Sequence, residues 1–349
     1  MSTEFQTPNP PTEGDSAVRP RSSSQRGGLK LEHFERHGLV LVFVLTVVLF
    51  SLLRPDTFAT AANWRSIATT QAVPAILAVA LLPTLLCGRF DVSIGANMAA
   101  CALVSASVMS QGTLPLAGAV VVAILVGGAI GLFNGFLVAY LGVNSIVGTL
   151  AVSTIIGGIA IAKTDAIPIS SNIPSSLISM SISTFLGVPI VILIAIAASA
   201  ATWFILTQTP FGRRLTATGV NLSAARLSGM RVNLLVMSSF AFGGLLAGVA
   251  GVVSISVNGA ADPSVASIGA VIPSLAAAFL GATTWTPGRY NVPGTFIALF
   301  FIGATTSGLA LLGTEPWVSD VFNGGVVVVA VVISGQIHRR RTGNLEIGA

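Results

Sequence analysis

Residues 114–140 read LPLAGAVVVAILVGGAIGLFNGFLVAY and contain no Asp, Glu, Lys or Arg. A hydrocarbon core about 30 Å thick is crossed by about 20 apolar residues in a helix. This stretch therefore spans, with length left over to tilt or to break near its glycines. The same ruler laid outward along the chain finds nine more such stretches, at 38–53, 66–87, 93–110, 144–162, 188–208, 232–257, 265–285, 292–312 and 318–336. Only 8% of the 349 residues are charged, where a soluble domain carries roughly a quarter. The expected fold class is all-α, a polytopic membrane protein with about ten transmembrane helices. Residues 1–37 are expected as a disordered cytoplasmic tail and interfacial segment, 38–336 as the transmembrane domain, and 337–349 as a basic cytoplasmic tail.

Charge sets the expected orientation. Lys and Arg accumulate in cytoplasmic loops, and a cytoplasmic N-terminus leaves all but three of the 17 basic residues inside, with Arg54, Arg65 and Lys163 outside. Ten spans return the C-terminus to the same side. The net charge of +5 is thus a topology signal and requires no nucleic acid. The N-terminal 37 residues are too long and polar before the first apolar run, and lack a small-residue cleavage site, to read as a removable signal peptide.

Several chemistries are disfavoured. Residues 157–164, GGIAIAKT, come within one glycine of a phosphate-binding loop, yet they end an apolar helix instead of joining a strand to a helix, and Lys163 reads as a snorkelling side chain. His33 and His37 are four apart in an interfacial amphipathic segment, and His338 belongs to the basic tail. Cys87 and Cys101 form no CxxC spacing, so neither a disulfide framework nor a metal site is expected. No span holds an ionisable residue near its centre, which argues against an ion-coupled carrier. A lipid-modifying enzyme would need a polar cluster at the interface, and only Arg89 with Asp91 comes near.

Three features interrupt the apolar background. Gly127, Gly131 and Gly135 recur every four residues beside Asn134, a spacing that lets helix backbones approach. Asn134 and Asn97 are expected either as interhelical hydrogen-bonding groups or as part of a path for a neutral polar solute. Pro74 and Pro83 in the second stretch and Pro273 in the eighth remove backbone hydrogen bonds. The turns that follow echo each other, Gly88-Arg89-Phe90-Asp91-Val92 and Gly288-Arg289-Tyr290-Asn291-Val292, suggesting related halves. Last, residues 208–231 form the most polar internal loop. There Asn221 or Ser223 is expected to cap a short helix that ends at Gly229, with Leu222 and Leu227 on its apolar side and the arginines outward. Asp91 is expected to cap the helix of the third stretch.

This loop resembles that of the inner-membrane permeases of ribose-type ABC sugar importers, which share G-R-x3-A-x-G-x-N-x2-A-A-x2-S-G. Gly212, Arg213, Ala217, Gly219, Asn221, Ala224, Ala225, Ser228 and Gly229 fill that pattern. Gly88, Asp91, Ser93 and Gly95 meet a second signature, G-x2-D-L-S-x-G, with Val92 in place of Leu. Gly131, Asn134 and Gly135 meet a third, G-x2-N-G. Where similar permeases carry a Gly-Gly-Thr-Ser stretch, this chain has the bulkier residues 281–290, GATTWTPGRY. The resemblance implies the ABC importer permease fold in a bacterial cytoplasmic membrane with both termini inside. A cytoplasmic ATP-binding subunit would press on the loop, through Arg226 among others, and on the 88–95 turn. An extracytoplasmic solute-binding protein would deliver a sugar, nucleoside or other small polar solute, and a second permease copy would complete the path. No cofactor is implied in this chain, because ATP is used by the partner subunit.

Overall fold

The computed structural model describes residues 28–266 and 268–342. The expectations placed on residues 1–27 and 343–349, and on the side chains of His33 and His338, lie outside the described residues. The elements run α1 (Gly28–Leu53), α2 (Ala61–Thr70), α3 (Ala72–Leu86), α4 (Ile94–Ser110), α5 (Leu116–Ala139), α6 (Ser145–Thr164), α7 (Ser175–Ser179), β1 (Thr184–Phe185), β2 (Val188–Pro189), α8 (Ile190–Gln208), α9 (Pro210–Val220), α10 (Leu222–Leu227), α11 (Val232–Asn258), α12 (Ile272–Gly281), α13 (Val292–Leu311) and α14 (Pro316–Thr342). The two strands form one small antiparallel hairpin.

All ten apolar stretches fall on helices. The helices α5, α6, α8, α11, α13 and residues 316–333 of α14 are each long and apolar enough to cross a membrane, and α2 with α3, bent by 42° at their junction, passes the same test only when the two are taken together. The other three stretches lie on shorter apolar helices, within α1, at α4 and over 269–281. Proline explains the bend. Pro74 offers no N–H to the Thr70 carbonyl and its ring crowds that carbonyl, so the chain breaks at Gln71, three residues ahead of it. Pro83 sits inside α3 without a comparable break, and Pro273 stands at the start of α12. The expected break of the 114–140 span at its glycines does not occur, because α5 is continuous through all of them.

The glycines serve close packing instead. A Cβ at Gly127 would fall on the Gly244 carbonyl and one at Gly131 on the Phe240 carbonyl, while one at Gly135 would lie 2.7 Å from the Met237 Cα. The helices α5 and α11 therefore touch backbone to backbone, as small residues at four-residue spacing permit. Helix α11 is the axis of the molecule, packing on α3 and α4 as well. On its far side Gly251 meets the Met98 carbonyl of α4.

The helix ends sort into two faces. On one, the turns at 87–93 and 282–291 flank Phe279, whose ring lies 5.9 Å from Phe90 and 5.7 Å from Tyr290, with α9 and α10 alongside. Leu39 of α1 and Ile333 of α14 line one groove with Leu280 and Thr283 beside these turns, so the first and last helices open onto this face. On the other face Arg65 Nε donates to the Gly187 carbonyl at 3.2 Å, and Lys163 lies beside Gln111 and Ile169. The near phosphate-loop of 157–164 is helical within α6.

Candidate functional site

The polar loop is two helices, not irregular chain. Pro210 at the first position of α9 fits a helix start, since its missing N–H has no intrahelical role there, and it holds Thr209 extended at φ −105°, ψ 159°. A Cβ at Gly212 would fall on the Leu206 carbonyl, so α9 folds back tightly against the end of α8. Leu215 and Thr218 point inward. At the other end of α9, a Cβ at Gly219 would overlap the Leu86 carbonyl, which puts α9 in backbone contact with the end of α3.

Asn221, extended at φ −153°, accepts from the Ala224 N–H at 2.9 Å and caps α10. Gly229, at φ +79°, ends it: the Gly229 N–H reaches the Arg226 carbonyl at 3.0 Å and the Met230 N–H the Ala225 carbonyl at 3.2 Å, a Schellman closure that favours glycine. Leu222 and Ala225 pack inward on Leu215, Val232 and Val236. Leu227, expected on the same side as Leu222, is instead 89% exposed. The two are five positions apart, which places them about 140° apart around a helix. Together with Val220, 80% exposed, and Arg226, it makes α10 an outward knob with two apolar points and a guanidinium.

The 87–93 turn lies beneath this knob. Gly88 at φ +70° ends α3 by the same closure, with Gly88 N–H to the Leu85 carbonyl and Arg89 N–H to the Thr84 carbonyl. The Asp91 side chain accepts the Ser93 N–H at 3.0 Å and the Ser93 hydroxyl at 2.6 Å. The cap position of α4 is Ser93, so Asp91 organises an Asx turn ahead of the helix rather than capping it directly. Ser93 Oγ in turn accepts from Asn134 Nδ2 at 2.7 Å. Asp91 Oδ2 and Asn134 Oδ1 are buried without a hydrogen-bond partner. Burial pushes the Asp91 carboxyl up to about 6, against the pull of its two bonds from Ser93. The N-terminal end of α6 covers the turn, Ser145 Oγ accepting from the Phe90 N–H and Thr149 Oγ1 from the Val92 N–H. Gly95 is buried in the first turn of α4.

Asn97 and Asn134 are both 0% exposed. Asn97 Nδ2 donates to the Gly127 carbonyl of α5 at 3.1 Å, and Asn134 ties α5 to Ser93. Neither lines the cavity of about 650 Å³ that opens between α4, α5 and α6, whose polar rim is Ser107, Gln111, Lys163 and Thr164. Both asparagines sit at helix contacts.

The structure thus joins the two sequence signatures into one face: α9 and α10 stand on the 87–93 turn through Gly219, a position the shared pattern contained but whose contact partner no local spacing reveals. Among the described residues there is no group of three metal-ligating side chains; both cysteines are buried and free.

Residues 63–331 match the family model described as branched-chain amino acid transport system / permease component. The chain is 30% identical over 323 residues to the ribose import permease of Haemophilus influenzae, covering 92% of this chain and 98% of that one. It is 28% identical to the D-allose transport system permease of Escherichia coli, over 88% and 93% of the two chains, and 26% identical to an autoinducer 2 import permease of Photorhabdus temperata, over 88% and 96%. No solved structure matches the chain.

Proposed function

Since the chain belongs to the family of branched-chain amino acid transport system permease components, and is a transport subunit rather than an enzyme, we propose that it forms the membrane path of an ATP-driven importer whose cargo is a sugar or sugar-like solute. The cargo class follows the relatives, whose names give ribose, allose and autoinducer 2. The carrying observation is the α9–α10 knob. It offers Val220, Arg226 and Leu227 to a partner and stands on the backbone of Leu86.

The knob is the contact for a cytoplasmic ATP-binding subunit. Force applied to α10 passes through α9 to the end of α3 without an intervening flexible side chain, because Gly219 meets Leu86 backbone to backbone. From there α3 leads to its bend at Gln71, and α11, packed on α3, α4 and α5, carries the displacement through the bundle. Alternating exposure of a path to the two sides then moves the solute. An extracytoplasmic binding protein delivers it, and a second permease copy completes the path. The knob face is cytoplasmic in a bacterial inner membrane: Arg89, Arg213, Arg214, Arg226, Arg231 and Arg289 gather there, whereas Arg65 and Lys163 lie at the opposite face.

Arg226→Glu tests the reading. Membrane abundance should stay normal, whereas co-purification of the ATP-binding subunit and solute uptake should fall together. Normal uptake would remove Arg226 from the interface, and lost abundance would assign α10 to folding.

A further inference from the structure

Beside the knob a two-lobed cleft separates the end of α5 from α10 and the start of α11. One lobe, about 420 Å³, is lined by Tyr140, Arg226, Arg231 and Asn233 among others. The other, about 300 Å³, adds Arg89 and Asn144 and shares Arg226 and Asn233. No Asp or Glu lines either lobe. None of the three guanidinium groups makes a hydrogen bond or ion pair among the described residues. Helix α11 begins here without a side-chain cap, and the backbone N–H groups of Asn233 and Leu234 have no acceptor, the first bonds being Val232 to Met230 and Leu235 to Arg231. Three unpaired cations and free helix-start donors around one cleft select an anion with several acceptor oxygens.

The cleft opens onto a flank of another kind. Phe136 and Tyr140 stack at 5.7 Å along the outer side of α5, and both rings are exposed, as are Leu141 and Leu234. A soluble phosphate has no use for such a surface, whereas an aromatic and aliphatic strip leading into a basic cleft matches a molecule with an anionic head and an apolar tail. We propose that the Arg89–Arg226–Arg231 cleft binds the phosphodiester headgroup of an anionic phospholipid, with its acyl chains laid along Phe136, Tyr140 and Leu141. Because Arg226 belongs to α10, the bound headgroup steadies the knob on the bundle. The proposal rests on the reading that this face meets the cytoplasmic leaflet.

The test is binding of fluorescent phosphatidylglycerol to the purified full-length permease in neutral detergent, without any ATP-binding subunit. Saturable binding should resist excess phosphatidylcholine and millimolar inorganic phosphate. Arg226→Gln and Arg231→Gln should each weaken it about fivefold, while Arg289→Gln, outside the cleft, should not, and all should unfold at the parent temperature. Equal competition by phosphatidylcholine would overturn headgroup recognition, and displacement by inorganic phosphate would make this a soluble-anion site. Equal loss with Arg289→Gln would reduce it to diffuse charge. Intact lipid binding in Arg226→Gln, with loss only of ATP-binding-subunit co-purification, would hand the cleft to that subunit. A wrong topology is separable: it leaves binding in detergent intact and shows instead as labelling of Ser223→Cys from outside intact cells.

Discussion

The turn after α3 and the turn after α12 carry nearly the same five residues, yet they close by different chemistry. Gly88 and Gly288 both hold positive φ, +70° and +80°, and Phe90 and Tyr290 both pack on Phe279. The first helix runs straight into its glycine. The second ends at Gly281, and residues 283–287 make an excursion that includes Trp285 at φ +62° before Gly288 is reached. Pro287 keeps the helix from resuming within the excursion, since it disfavours helical backbone at the residue before it and cannot continue a helix. Asn291 then closes the second turn with every amide atom in use: the two Nδ2 hydrogens are shared among the carbonyls of Gly281, Thr284 and Arg289, and Oδ1 accepts the Gly294 N–H. Asp91 can only accept while ionised, and one of its oxygens is orphaned. The second turn is locked from within; the first relies on α6 and α9 to hold it, which suits the turn that α9 stands on.

The largest effect should come from the lock. In Gly281→Ala the new Cβ meets the backbone of Thr295, where no side-chain rearrangement relieves it, so destabilisation of about 3 kcal/mol or more is expected and should appear as lost membrane abundance. Gly219→Ala meets the Leu86 carbonyl in the same way, but α9 lies at the edge of the bundle and can shift. It should lower uptake more than abundance. If both variants lose abundance alike, the two turns are not held differently.

The reciprocal exchange sharpens the contrast. Asn291→Asp removes both N–H donors that the three carbonyls share and aims a carboxylate at those carbonyl oxygens, an expected loss of about 3 kcal/mol. Asp91→Asn retains an acceptor for Ser93 and avoids burying a charge, so it should lie within about 1 kcal/mol of the parent or be stabilising. Thermal unfolding of the purified permease reads both. Equal losses would mean that Asp91 is satisfied in a way its geometry does not indicate.

A pH series isolates Asp91. Its native carboxyl sits at about 6 against an ordinary value of 3.8, so between those values the folded chain holds more protons than the unfolded one. Its contribution is therefore full below 3.8 and is lost as pH rises toward 6. Asp91→Asn should flatten that part of the stability profile, and an unchanged slope would remove Asp91 as its source. The smallest effect on stability belongs to Arg226→Glu, within about 0.5 kcal/mol, even though uptake should be lost.

The apolar helices were legible because hydrophobic length is read directly off a chain; of the prolines expected to interrupt helices, Pro74 goes with the bend at Gln71, whereas Pro83 leaves α3 unbroken. The α10 helix was legible for a local reason also: Asn221 and Gly229 supply its cap and its end within nine residues. The helical state of 210–220 was hidden, since α9 has few apolar residues and is held by the fit of Gly212 and Gly219 against distant carbonyls. The orientation of Leu227 was misjudged because apolar character alone does not say which side of a six-residue helix is buried. The Asp91–Ser93–Asn134 chain includes a bond between residues 41 positions apart, and the Asn233 end of the arginine cleft forms only once α5 and α11 lie together. Both are products of packing, which a linear pattern does not report.

Reconstitution tests the central claim most directly. The permease is placed in sealed vesicles with its ATP-binding subunit, with the solute-binding protein and labelled ribose, allose or autoinducer 2 on the opposite side, and ionophores present to collapse ion gradients. The account predicts accumulation of one of these solutes that requires ATP on the α10 side and disappears with Arg226→Glu. Accumulation without ATP that is abolished by the ionophores would contradict it.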